Sequence, residues 1–323
     1  MRNLIVFLAA SLVSSTVLAQ VTINGGVGYR YDSAVAGSTP SVTRDRIKGE
    51  LIIGSKVNDK VNAVFGVRTG NFNSAFNDMG NNGNLQSFGI NLAYFDYAAV
   101  PGVKVTFGKM NQPWATSSSL LFDKDIKPEG LAVSYSNKAG IFGSASSLKI
   151  AEGGASADVG VNSVQVGAKK EVFGVGLVGA IGYQDYANVG AQAYKIQQGI
   201  VSASKKVVGK QVGVFVETLK NSEAKTNGVA TSYGVKVGNA VAPKEWDVTV
   251  VSQKVEANSQ YSLWNDSDFA GGQGNYKGNA VLVNYVVAKG VKVTGKYFSA
   301  DRNITAVTPE KYKRIHVDVN FVF

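Results

Sequence analysis

Apolar and polar residues alternate along most of this 323-residue chain, and the alternation runs to its last residue, Phe323. Strand side chains point to opposite faces in turn, so a period of two commits a segment to a sheet with two unlike faces. The closing stretch RIHVDVNFVF sets Ile315, Val317, Val319, Phe321 and Phe323 against Arg314, His316, Asp318, Asn320 and Val322. VTINGGVGYRY sets Val21, Ile23, Val27, Tyr29 and Tyr31 against Thr22, Asn24 and Arg30. RIKGELIIGSK, VNAVFGVR, VKVTFGK and VKVTGKYF repeat the pattern, each with Lys or Arg on the polar face. Such segments of about ten residues fit a wall with lipid on one side and water on the other. A half-buried strand of a soluble sandwich has the same period, so the connections must decide.

Short turns at 57–60, 99–102, 137–140, 207–210, 239–244 and 288–290 alternate with longer polar stretches. The longer ones are 33–43, 70–86, 111–129, 151–160, 185–192, 221–227, 256–276 and 301–311. Sixteen strand segments result, at roughly 19 residues each with a connection, and about 9–11 residues let a tilted strand cross a membrane. A sandwich of this length needs two cores and protected edges, whereas a closed barrel has no edge. The expected fold is therefore all-β: a transmembrane antiparallel barrel of about 16 strands, with short periplasmic turns and long external loops.

The first 19 residues read as a secretory signal, with Arg2, an apolar run from Leu4 to Val13, and small residues before Gln20. Residues 20–323 then form one barrel domain. The chain has no cysteine, so no disulfide framework is available. It carries 33 Lys and Arg against 23 Asp and Glu, a net charge of +10. Behind an export signal, that excess points to anionic solutes or lipid headgroups rather than to nucleic acid.

Two stretches carry a family resemblance. FGKMNQPWATSSSLLFDKDIKPEGLAVSYS (Phe107–Ser136) resembles a strand–loop–strand of the bacterial "putative porin" family, with its Gly-basic pair, Asp-rich stretch and PEG-like return. LWNDSDFAGGQGNYKGNAVLVNYVVAKGVKVTGKYFSADRN (Leu263–Asn303) resembles that family's penultimate region. The resemblance implies a water-filled barrel in the outer membrane of a Gram-negative bacterium, passing ions and small hydrophilic solutes. It also implies a homotrimer surrounded by outer-membrane lipids and lipopolysaccharide. Phe323, with Phe321 and Val319 before it, resembles the signal read by the barrel insertion machinery. General sixteen-stranded porins fold a constriction loop inward after strand five, where this chain has its loop 111–129. That comparison places Asp123, Asp125 and Glu129 near Lys124 and Lys127 in the narrowest section; the alternative is an ordinary external loop.

Alternation puts Arg30, Arg46, Lys48, Lys56, Arg68, Lys104, Lys169, Lys236, Lys292, Lys296 and Arg314 on the lumen side, with Asp32, Glu50, Glu217, Asp247 and Asp318. A Lys or Arg facing lipid at the midplane costs about 2–4 kcal/mol, which favours the lumen. Basic rings lower the barrier for anions, so a mild anion preference is expected. Strict alternation turns Lys109 towards lipid, while a bulge at Gly108 turns it into the lumen, as the resemblance suggests. Both faces of Phe88–Tyr97 read as apolar, leaving its orientation open between a bulge and a subunit contact. Tyr29, Tyr31, Tyr97, Tyr135, Tyr183, Tyr233, Tyr285 and Tyr297 fit interfacial girdles.

GVGLVG (Gly174–Gly179) matches a dinucleotide fingerprint literally, but no helix pattern follows it. His316 is the only histidine and reads as a polar lumen residue; no catalytic set or metal-ligand spacing surrounds it. Asp266–Asp268 reads as a solvated loop with loose affinity for a cation at most. No cofactor, metal or enzymatic activity is expected. The rival readings are a phosphate-type selective channel and a non-conducting adhesin or receptor barrel.

Overall fold

The computed structural model describes residues 20–71, 74–80, 87–153, 157–190 and 192–323; the expected export signal, 1–19, lies outside them. Sixteen antiparallel strands close into a barrel. The first four are β1 (Val21–Ala36), β2 (Val42–Lys56), β3 (Val61–Thr69) and β4 (Phe88–Val100). Next come β5 (Val103–Lys109), β6 (Glu129–Ser136), β7 (Ile141–Ala151) and β8 (Val159–Val172). Then follow β9 (Val175–Ala187), β10 (Tyr194–Val207), β11 (Lys210–Asn221) and β12 (Val229–Gly238). The circle ends with β13 (Trp246–Val255), β14 (Tyr276–Ala288), β15 (Val291–Arg302) and β16 (Glu310–Val322).

Each strand pairs with the next, and β16 returns to β1 in continuous register from Gly26 opposite Val322 to Ala36 opposite Tyr312. Phe323 extends the seam: its N–H donates to Gly25 O and its carbonyl accepts from Gly25 N, both at 3.0 Å. Its ring lies where a side chain at Gly25 would sit, since a Cβ there would fall 2.6 Å from the ring. The terminal alternation is thus a working strand, not a tail.

Turns at one end are tight. Phe173-Gly174 and Val208-Gly209 each join their strands with both residues at positive φ, the two-residue geometry whose twist matches the flanking strands. The opposite end carries the long loops. One stretch expected as a long loop, 33–43, is mostly strand, with only 37–41 left to connect β1 to β2. In compensation, β3 is short. A two-residue strand, Asn77–Asp78, pairs with Ile47 and Arg46 of β2 where β3 has already ended.

The outer face is apolar and the inner face polar, as the alternation requires. All eight of the tyrosines expected in girdles are exposed, with Ile23, Val27, Phe65, Phe95, Phe107, Ile181 and Phe321. The Phe88–Tyr97 ambiguity resolves as a bulge: Gly66 pairs with Leu92 and Val67 with Ile90, leaving Asn91 unmatched. Asn91 and Leu92 are both buried, so the strand changes phase between exposed Ile90 and exposed Phe95.

The seam also carries a set of enclosed charges. Arg30 of β1 makes paired contacts to Asp318 of β16 at 2.7 and 2.9 Å, and Arg314 of β16 does the same to Asp32 of β1 at 2.9 and 2.8 Å. Asp32 is fully buried and also meets Arg44 at 2.7 Å and His316 at 3.3 Å. Removing one partner of such a buried set costs about 3–5 kcal/mol, because the remaining charges lose their counter-ion. Asp32→Ala is therefore expected to lower the temperature at which the folded band disappears in unboiled gel electrophoresis. Lys225→Ala, in an exposed external loop, should leave it unchanged; equal heat resistance of both variants would show that the seam does not depend on Asp32.

Candidate functional site

Parts of three connections at the long-loop end turn into the barrel instead of standing above it: residues 74–80, 110–128 and 256–275. The second, following β5, crosses to the far wall and is pinned there by side chains of β8, β10 and β11. Gln165 holds Ala115 through both backbone groups, receiving its N–H at 2.7 Å and donating to its carbonyl at 2.9 Å. Gln165 donates onward to Gln198 at 2.8 Å, and Gln198 to Glu217 at 2.7 Å. The second Glu217 oxygen accepts the N–H groups of Ser117 and Ser118 and the Ser118 hydroxyl, at 3.0, 2.8 and 2.8 Å. Such a buried carboxylate, saturated by donors, fixes a loop far better than isolated neutral contacts.

Packing completes the anchor. Trp114, Leu120, Leu121, Phe122 and Ile126 are buried together, and the Phe122 ring lies 5.5 Å from Trp114 and 5.2 Å from Trp264. Trp264 belongs to the third loop and packs further against Tyr186, tilted, and against Tyr261, edge to face, at 5.2 and 4.8 Å between ring centres. A backbone bond, Asp123 N–H to Trp264 O at 2.7 Å, ties the two loops directly. This corrects the sequence reading of Asp266–Asp268 as a solvated loop: the flanking Trp264, Phe269 and Ala270 are buried inside the barrel. The physical reason is an aromatic surface that water disfavours and that the Phe122 side of the neighbouring loop complements.

Asp266 and Asp268, read from sequence as solvated, are inside as well. Asp268 meets Lys296 at 3.0 Å, His316 at 3.5 Å, Arg30 at 3.6 Å and Arg314 at 3.7 Å. Burial acts to raise its pKa, yet these neighbours hold the carboxyl well below its ordinary range. Asp123 has the opposite fate: burial, then the nearby Asp266, push it up to about 7. The N–H of Asp125, 2.8 Å away, opposes that shift only in part.

Between loops and wall lies a cavity of about 450 Å³. Arg30, Lys48 and Lys296 border it from the wall, and Asp123, Lys124, Asp125, Asp266 and Asp268 from the loops, with Asp318 behind Arg30. A basic wall thus faces acidic loops across the lumen. The sequence-predicted residues divide accordingly. Arg30, Arg46, Arg68 and Arg314 are buried on the inner face, and each is held by a carboxylate. Arg46 meets Asp78 at 2.7 Å and Arg68 meets Asp125 at 3.0 Å. Lys48 lies over the Phe76 ring, 5.1 Å from its centre.

Lys104 is exposed near the short-turn end and meets Asp96 at 3.3 Å; Lys292 is exposed at the same end. Lys109 meets Glu129 at 2.7 Å and borders a second cavity, of about 250 Å³, with Arg68, Asp125 and Lys127. Gly108, at φ 117°, supplies the backbone distortion beside it. Glu129 is the first residue of β6 and not part of the inward loop, while Lys127 is half-buried and donates to the Lys124 carbonyl at 2.6 Å. Sequence reasoning missed Arg44, Gln165, Gln198 and the acidic third loop. Trp264 and Phe269, within the otherwise polar SLWNDSDF, were the available signal for the last.

A closed barrel of transmembrane strands, its lumen narrowed by inward loops lined with opposed charges, is the architecture of a transport pore. The family model described as "Putative porin" matches residues 17–233 and 181–323, and the chain belongs to that family. Family and fold are those of an outer-membrane channel of Gram-negative bacteria rather than of an enzyme. Among solved structures, Pseudomonas putida OprB at high pH aligns with TM-score 0.68 and 10% identity, over 94% of each chain. Salmonella typhi OmpF in complex with daunomycin aligns with TM-score 0.61 and 13% identity, over 94% of this chain and 97% of that one. A Rhodopseudomonas blastica porin variant gives 0.52 and 15%, over 94% of this chain and 100% of its own. No curated protein matches the chain by sequence.

Two outcomes test the lumen. Glu217→Ala deprives the loop tip of its acceptor, so single-channel current should become noisier and larger; wild-type current would mean that packing alone holds the loop. Lowering the pH from 8 to 6 protonates Asp123 and removes a negative charge from the cavity. Chloride preference should therefore rise over that range, and the rise should vanish in Asp123→Asn. Its survival in that variant would show that the titrating group is not Asp123.

Proposed function

We propose that the chain forms a water-filled pore for passive diffusion of ions and small hydrophilic solutes, with a mild preference for anions. The observation that carries this reading is a crown of lysines at the short-turn, periplasmic end. Lys56, Lys104, Lys169, Lys206, Lys236 and Lys292 sit within a few residues of the turns on six different strands. Alternation places them on the inward face, in phase with buried residues such as Gln165, Gln198, Ser232 and Thr294. Lys206 is the one that the sequence reading passes over.

Three of the six have a carboxylate: Asp59 at 2.8 Å, Asp96 at 3.3 Å and Asp247 at 3.2 Å from Lys56, Lys104 and Lys236. Lys169, Lys206 and Lys292 have no ion pair among the described residues. The mid-lumen cavity is near charge balance, so the net field of the permeation path comes from this mouth. Fixed positive charge there concentrates chloride and repels cations, within a screening length of about 8 Å at physiological salt. The preference should accordingly be mild and fade as salt rises.

Asp123, Lys124, Asp125 and Lys127 are the loop residues proposed to set the narrowest section, opposite Arg30, Lys48 and Lys296. Homotrimer formation is supported by the outer wall of β3–β5, which exposes Phe65, Phe88, Ile90, Phe95 and Phe107. Phe323, seated on Gly25, is the proposed end of the segment read by the insertion machinery.

Single-channel recording in a planar bilayer under a salt gradient tests the reading. Current steps in threes and a reversal potential of the chloride sign are expected. Lys169→Gln/Lys206→Gln/Lys292→Gln should move that potential towards zero while leaving conductance at high salt unchanged. A strong cation preference in the wild type would overturn the anion reading, and stable insertion without conductance would overturn the pore.

A further inference from the structure

A recess of about 980 Å³ lies on the outer wall near the external rim rather than in the lumen. We propose that it binds a phosphorylated glycolipid of the outer leaflet, holding the headgroup across strands β13 to β16. Strand register defines the surface row by row. The lowest row is apolar, running Val235, Val250, Val281, Tyr297 and Ile315. Two residues nearer the rim the row becomes Tyr233, Ser252, Asn279, Ser299 and Lys313. The next is Thr231, Lys254, Lys277, Asp301 and Lys311. The wall therefore passes from hydrocarbon-matching to cationic within about two residue steps, the transition expected at a headgroup boundary.

The middle row makes the hollow. Ser252, Asn279 and Ser299 are small between larger neighbours and offer hydroxyl and amide groups at its floor. Lysines border it on both sides, and all four are exposed. Lys254 and Lys277 stand directly opposite each other on adjacent strands, an arrangement that costs stability unless an anion lies between them. Lys311 and Lys313 share one face of β16. Asp301 and Glu256 engage Lys311 and Lys254, at 2.7 and 3.2 Å. Lys277 and Lys313 have no ion pair among the described residues, so four ammonium groups face two carboxylates.

The spacing selects the ligand. The two lysine pairs, on β13–β14 and on β16, are separated by β15, so they lie roughly 10 Å apart at normal strand spacing. One phosphate cannot meet both pairs; a sugar headgroup with a phosphate at each end can, its hydroxyls over Ser252, Asn279 and Ser299. Its acyl chains would descend along the apolar row. This site is independent of what the pore conducts.

The test is retention of bisphosphoryl lipid A by the full-length barrel, counted by native mass spectrometry from mixed micelles in an uncharged detergent. One retained lipid A per barrel is expected. Lys277→Gln/Lys313→Gln should weaken retention about 30-fold, the combined effect of two lysines at an anionic surface. Millimolar inorganic phosphate should not displace the lipid. Lys195→Gln/Lys225→Gln, a matched change elsewhere on the external rim, should retain it as the wild type does. Heat resistance and conductance, measured on both variants, should stay at wild-type values because the recess lies outside the lumen. Equal retention by the Lys277/Lys313 variant, or of lipid A without phosphates, or of phosphatidylglycerol, would overturn the assignment.

Discussion

A strand in hydrocarbon has no water to satisfy its N–H and C=O groups, so the sheet must close or fail. Everything else in this molecule depends on that closure. It requires β16 to reach β1 in register and forbids the chain's last residues to fray. Enclosed charges gather there as well. Arg30 with Asp318 and Arg314 with Asp32 link the two strands through side chains as well as backbone. The two strands are separated by almost the entire sequence, so these pairs form only when the circle is complete. They favour one closing register over a slip, because a shift of either strand by one residue would turn its member of each pair towards lipid.

Closure leaves an interior too wide for strands alone to fill, and the loops resolve this by packing. The Trp114, Phe122 and Trp264 rings build a small apolar core inside a water-filled tube, against Tyr186 and its neighbours on the wall. The polar relay from Gln165 to Glu217 then fixes where the loop tip stands. The two devices differ in kind. Apolar burial draws the loops inward without direction, whereas the hydrogen bonds to Ser117 and Ser118 determine the opening left beside them.

Period-two alternation made the fold legible, because a barrel wall imposes it on nearly every strand. Arg30, Lys48 and Lys296, on its polar face, border the inner cavity, Arg314 is buried, and the eight tyrosines are exposed. It failed where the backbone breaks phase: at Asn91, whose bulge no residue type announces, and at Lys109, beside Gly108. It was also silent on loop destination. Residues 256–276 are polar in composition, and only Trp264 and Phe269 betray that part of the loop leaves water. Charge balance was the least legible property. Alternation counts the wall but not Asp123, Asp125, Asp266 and Asp268, which the loops carry to it.

The two kinds of basic residue are sorted by this arrangement. Each of the six arginines from Arg30 onward meets a carboxylate: Asp318, Asp32, Asp78, Asp125 or Glu310. None lies at the periplasmic mouth, where the cations are lysines. A planar guanidinium suits fixed, paired contacts in a narrow lumen, and its charge is spent on holding the carboxylate opposite. A hydrated ammonium on a flexible stem suits a wide mouth, where the charge must stay available to passing ions. Arginine is thus tied into the wall by its carboxylates, while lysine stands at the short-turn end. The same logic separates the outer recess, with lysines on its rim, from the seam a few strand residues away, where arginines are locked to aspartates. The sign of the chain's net charge is therefore less informative than its placement: near balance around the inner cavity, positive at the short-turn mouth and along the outer recess.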